Sequence, residues 1–164
     1  MIGSLRRVQS GWWSKMEMFS TDLKGDFLFF DLDTVIVGDL SEIARTKQLT
    51  MLTDFFVPSY LASGVMYLPW FERNDIWKKW IKDPQAHMRA QLGHGDGGFL
   101  RDHWKDRPAR WQDELPGQIV SYKAHVRKPQ HPRMENGNGV IPNDARVICF
   151  HGRPRPRDVR WLDA

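Results

Sequence analysis

The sequence predicts an α/β domain, with a small mixed sheet and helices on its faces. Three observations predict it. Short apolar runs of strand length recur along the chain, helical periodicities lie between them, and Gly- and Pro-bearing turns divide them. The 164 residues fit a single domain over 1–164. With 41% hydrophobic and 27% charged residues, eight Trp and nine Phe, the chain is too rich in aromatics to be disordered.

Trp12, Met16, Phe19 and Leu23 recur at helical spacing, so Gly11 to Leu23 reads as an amphipathic helix. After the turn Lys24-Gly25-Asp26, the run Phe27-Leu28-Phe29-Phe30 reads as a strand buried on both faces. Gly64 to Leu68 reads as a second strand, closed by Pro69. Trp77, Trp80 and Ile81 mark a helix from Asn74 to Lys82, stopped by Pro84. Gly95 to Gly98 reads as a loop before a short helix from Phe99 to Trp104. Ile119 to Tyr122 and Arg146 to Phe150 complete the strands, and 128–143, rich in Pro, Gly and Asn, reads as an exposed loop.

The formal charge of +4 is unevenly placed. Positive residues crowd Lys123 to Arg133 and Arg153 to Arg160, while acidic ones dominate Asp31 to Glu42. A basic tail beside an acidic site suits a phosphorylated ligand. No nucleic-acid-binding motif accompanies the charge, so no nucleic-acid partner is expected. The single cysteine, Cys149, sits in an apolar run and reads as a small core residue. No apolar stretch has the length of a membrane span and the N-terminus shows no signal-peptide core, so the expected location is cytoplasmic.

The chemistry centres on Asp31-Leu32-Asp33. Two carboxylates at i and i+2 just past an apolar strand can turn toward one cation, and Mg²⁺ and Mn²⁺ prefer such oxygen ligands. A metal held there would neutralise charge developing on a leaving diphosphate. The alternative for the same pattern is a solvated turn at a strand end.

The apolar-Asp-x-Asp-Thr pattern resembles two families. In haloacid-dehalogenase-like phosphatases the first Asp, here Asp31, would be the nucleophile. Thr53, Lys123 and the pair Asp96 and Asp102 would have to complete that site, but the acidic pair precedes the Lys instead of following it. The order fits the second family better: the metal-dependent nucleotide-sugar glycosyltransferases of GT-A fold, similar to glycogenin and bacterial galactosyltransferases. Phe29 to Leu40 resembles the metal-site segment of that family. Ser63-Gly64-Val65-Met66 resembles its Asn-Ser-Gly-Val-Met strand, with Ala62 at the Asn position. Gly95 to Leu100 resembles its sugar-facing Asp-Gln turn, with Gly97 in place of Gln. Cys149 to Pro154 resembles its His-x-x-Gly-x-x-Lys-Pro segment.

The resemblance implies a partial GT-A-like domain transferring a hexose from a nucleotide-diphosphate sugar, UDP-sugar favoured, to a hydroxyl acceptor. It implies Mn²⁺ or Mg²⁺ on Asp31, Asp33 and His151. Asp96 would orient the sugar, or else cap the following helix. Arg153, with Arg155, would hold the diphosphate or only solvate the tail. Ser63, Gly64, Gly97, Gly98, Lys123 and Gly152 would line the substrate, the glycines alternatively serving only turn geometry. The family places nucleotide-binding βα units ahead of the metal site, and the 30 residues before Asp31 do not hold them. The expectation is therefore an N-terminally shortened domain with an exposed sheet edge: a fragment, a truncated product, or a short relative. A non-catalytic nucleotide-sugar-binding remnant is the further alternative.

Overall fold

The structure is a computed structural model and describes residues 11–128 and 137–159. Much of the predicted 128–143 loop lies outside the described residues. The fold is mixed α/β, as expected, but its strands form two small sheets instead of one. In the first, β1 (Phe27–Phe30), β4 (Leu61–Leu68), β3 (Thr50–Thr53) and β5 (Ala109–Arg110) lie in the order β1-β4-β3-β5. β4 is antiparallel to β1 and β3, and β5 runs parallel to β3. In the second, β2 (Thr34–Ile36), β7 (Val147–Cys149) and β6 (Ile119–Ser121) lie in the order β2-β7-β6, with β7 antiparallel to β2 and parallel to β6.

The four-residue β1 is an edge strand and only half-buried. The strand buried on both faces is β4, whose alternation shows it. Met66 and Leu68 face one core with Met51, Ile76, Trp80, Leu100 and Trp104, while Val65 and Tyr67 face another with Ile43, Leu52, Trp111 and Val147. The apolar run 65–68 within β4 resembles the run Phe27–Phe30 of β1, and position in the sheet separates them.

The first core is closed by a 3₁₀ helix (Gly11–Phe19), α2 (Trp70–Trp80) and α4 (Gly95–Trp104). The N-terminal segment buries Trp13, Met16 and Phe19, and exposes Trp12 and Leu23. That repeat of three matches the 3₁₀ geometry of three residues per turn, not the α spacing expected from Trp12. Trp13 stacks on Trp80 with ring centroids 5.2 Å apart. Pro84 opens a helix as well as ending one: α3 (Pro84–Ala90) starts on it, capped by Asp83, which accepts the N–H of Ala86. The Gly95–Gly98 stretch is the first turn of α4, not a loop. Its glycines permit close packing, since a Cβ on Gly95 would come within 2.6 Å of the Trp12 ring and one on Gly98 within 2.1 Å of the Gln91 side chain. Two short helices, α1 (Ser41–Ala44) and α5 (Trp111–Glu114), bring Ile43 and Trp111 to the second core.

Arg73 on α2 is fully buried and has no carboxylate within ion-pair distance among the described residues. Its guanidinium donates to the carbonyls of Met18, Leu23 and Gly25, and lies 3.8 Å from the centroid of the Phe27 ring. It thereby fixes the chain between the 3₁₀ helix and β1. Arg73→Lys keeps the charge but loses the planar fork, and is expected to lower unfolding free energy by about 2 kcal/mol. Urea denaturation checks this, and an unchanged midpoint would refute it.

Candidate active site

The Asp31-Leu32-Asp33 segment is where the chain leaves one sheet and enters the other. The N–H of Asp31 donates to Gly64 O at 2.8 Å, extending the β1–β4 ladder. The carbonyl of Asp33 accepts from Phe150 N–H at 2.8 Å, starting the β2–β7 ladder. Leu32 between them is fully exposed. The three residues form a turn closed by Thr34 N–H donating to the Asp31 carbonyl at 3.0 Å, with Leu32 at its exposed tip, while Asp31 and Asp33 both line a cleft of about 210 Å³. His151, Ser63, Gly64, Asp54, Phe55 and Phe56 line it too. Gly64 adjoins the first carboxylate, a Cβ there standing at an ordinary contact distance of 3.7 Å from Asp31 Oδ2.

Each predicted metal ligand already has a partner. Asp31 faces Lys15, whose Nζ lies 2.9 Å from Oδ1 and 3.1 Å from Oδ2. The same ammonium reaches Ser63 Oγ at 3.0 Å and Asp96 Oδ2 at 3.2 Å. Burial raises the Asp31 carboxyl above its ordinary range; Lys15 opposes this, and the charges of Asp96 and Asp33 add to it. Asp33 pairs with Arg155. His151 Nε2 lies 2.7 Å from Ser121 Oγ, its ring stacked on Phe55 and set edgewise to Phe56. Burial, and then the charge of Lys123, lower its pKa and favour the neutral imidazole that metal binding requires. Among the described residues no three His, Cys, Asp or Glu side chains form a ready metal cluster. The donor types nevertheless fit a divalent cation: two carboxylates and a neutral imidazole on one cleft.

Other expected residues divide. Asp96, only 6% exposed, sits in the first turn of α4 and does not cap it; its carboxylate accepts from Ser63 Oγ at 2.7 Å. Gly97 backs onto Arg101 and Ser63, and Gly98 onto Gln91 and His94, neither lining the cleft. Lys123 and Gly152 adjoin, since a Cβ on Gly152 would lie 3.5 Å from Lys123 Nζ. Burial, then Arg127 and Arg155, lower the Lys123 pKa, with Asp33 opposing. Arg153 is largely exposed, its closest carboxylate Asp158 at 3.9 Å, whereas Arg155 pairs with Asp33. Cys149, buried, has its thiol pushed up to about 12 by burial and the nearby Asp33 and Asp31 charges, which makes it inert packing, as expected.

Lys15, Asp54, Phe55 and Phe56 went unrecognised in the sequence. Lys15 gives no local signal, because its partners stand 16, 48 and 81 positions away. The Phe55-Phe56 pair has no helical or strand periodicity and gains meaning only beside His151.

No protein-family model matches this sequence, and no curated protein matches it. Its fold is shared with solved structures. An active-site mutant of LgtC superposes with a TM-score of 0.57 at 14% identity, over 88% of this chain and 59% of that one. The apo form of the glycosyltransferase GlyE in Streptococcus pneumoniae TIGR4 gives 0.55 at 13%, over 87% of this chain and 38% of that one.

The chain has a GT-A-like glycosyltransferase fold. It spans less than two thirds of the length of either of these structures. No helix among the described residues is long and apolar enough to cross a membrane.

Proposed function

We propose that this chain is a metal-dependent glycosyltransferase, or its metal- and acceptor-side part, moving a hexose from a nucleotide-diphosphate sugar to a hydroxyl acceptor. UDP is the favoured nucleotide and the cytoplasm the favoured location. The observation that carries the proposal is the convergence of Asp31, Asp33 and His151 on one cleft, at the joint between two sheets of a glycosyltransferase fold. These three residues would hold Mn²⁺ or Mg²⁺, which when bound supplies charge neutralisation at the leaving diphosphate. Arg155 and Lys123 add positive charge beside Asp33, where phosphate oxygens would be drawn. Lys15 and Ser63 tie Asp96 to Asp31 and so hold the wall of the cleft where the sugar would lie. Phe55 and Phe56 pack their rings against His151 and would hold the imidazole at that side of the cleft.

Calorimetry with UDP and Mn²⁺, followed by a screen of UDP-sugars for metal-dependent hydrolysis, tests the proposal. The expected result is Mn²⁺-dependent UDP binding and slow release of one sugar. Binding without sugar release would identify a nucleotide-sugar-binding remnant. Absence of both metal and nucleotide binding would overturn both.

A further inference from the structure

Ser121 closes β6, is fully buried, and has no role in the chemistry above. Its Oγ accepts the N–H of Ala124 at 3.2 Å, capping the π-helical turn Tyr122–Val126. Its own N–H donates to Nδ1 of His125 at 2.9 Å. Parallel pairing with Cys149 holds its backbone in register beside the strand that leads to His151. Fixed from these three directions, the hydroxyl meets His151 Nε2 at 2.7 Å. Phe55 stacks on the His151 ring and stands edge-on to His125, so it wedges both imidazoles. Among the described residues, Nε2 is the ring nitrogen of His151 with a hydrogen-bond partner, and Nδ1 has none.

We propose that Ser121 is a positioning residue whose hydroxyl holds Nε2 of His151 and leaves Nδ1 as the nitrogen presented to a divalent cation in the cleft. A histidine that ligates a metal through one ring nitrogen uses the other as an N–H donor, and that second bond sets its tautomer and orientation. A serine oxygen has two lone pairs. One receives Ala124 N–H, and the other can receive the Nε2–H that metal binding at Nδ1 requires. The selection of Nδ1 rests on the proposed metal role of His151; the anchoring of the ring is a property of the metal-free protein.

Long-range ¹H–¹⁵N NMR of the metal-free chain resolves the two ring nitrogens. A hydrogen-bonded Nε2 signature for His151 is expected in the unmutated protein and in Ser121→Thr, which keeps the hydroxyl, and its loss is expected in Ser121→Ala. Mn²⁺ affinity, read by electron paramagnetic resonance, should fall about ten-fold in Ser121→Ala and recover in Ser121→Thr. If Ser121→Ala does not fold, Ser121→Cys, with its weaker hydrogen-bonding thiol, replaces it in both measurements. An Nε2 signal unchanged on losing the hydroxyl overturns the proposal. So does Mn²⁺ affinity that falls in His151→Ala but not in Ser121→Ala. An unmutated protein that binds no Mn²⁺ removes the metal reading and the choice of Nδ1 with it, while the metal-free spectra still decide whether Ser121 anchors the ring.

Discussion

Lys15→Met is expected to destabilise the fold at neutral pH by about 3 kcal/mol, and by much less in acid. Lys15 is nearly buried and its ammonium serves both Asp31 and Asp96, the second almost fully buried. Removing one partner of a buried pair leaves an uncompensated charge, at a cost of about 3–5 kcal/mol. The lower end applies because the Asp31 side chain is 34% exposed and water screens part of the loss. Methionine keeps most of the apolar stem, so packing changes little.

The sign of the pH dependence follows from Asp31. Its carboxyl is raised above the ordinary 3.8 even with Lys15 present, and without Lys15 it rises further. A folded carboxyl with a raised pKa makes the fold take up protons relative to the unfolded chain, so stability falls as pH rises through that window. The penalty is complete above the folded pKa and absent below 3.8. Urea midpoints of Lys15→Met and the unmutated protein should therefore converge as pH falls. An equal gap at both ends of the range would mean lost packing, and the ion-pair explanation would fail.

The legible parts of this molecule are those whose signal is local. Phe27–Phe30 is four apolar residues between turns, and it forms a strand as the run predicts. Its place at a sheet edge was not in the run, because edge and centre differ only in what pairs with them. The Asp31 and Asp33 pair was legible because two carboxylates at i and i+2 just past an apolar run are a local pattern of three residues. The two-sheet joint that aims the pair was not, since it depends on hydrogen bonds from Gly64 and Phe150. The Gly95–Gly98 turn misled for a different reason. Four weak helix formers argue for a loop, yet the Trp12 side chain packs against Gly95 and those of Gln91 and His94 against Gly98, and tertiary packing outweighed propensity. Arg153 and Arg155 are indistinguishable by composition; the short 3₁₀ helix Pro156–Asp158 and its cap on Arg155 turn one toward Asp33 and leave the other in solvent.

Asp33→Asn is the sharpest probe of the proposed chemistry, because it should remove function while sparing the fold. In the metal-free protein Asp33 pairs with Arg155, whose side chain is 45% exposed. Exposed pairs of this kind contribute about 0–1 kcal/mol, so thermal stability should barely move. The backbone N–H of Phe150 bonds to the Asp33 carbonyl, which the substitution leaves in place. Mn²⁺-dependent UDP binding should nevertheless fall on the order of a hundred-fold, since a charged oxygen ligand is exchanged for a neutral amide. His151→Ala should lower it as well. A phosphatase built on Asp31 makes the opposite demand: the carboxylate would attack phosphorus and form an aspartyl-phosphate, which beryllofluoride mimics. Lys15 pins both oxygens of Asp31, and the fold matched is that of glycosyltransferases, so no beryllofluoride adduct is expected. An adduct on Asp31, or UDP and Mn²⁺ affinities indifferent to Asp33→Asn and His151→Ala, would refute the transferase assignment. Because Asp33→Asn leaves the Lys15–Asp31–Asp96 cluster intact, a lost affinity cannot be blamed on a collapsed cleft.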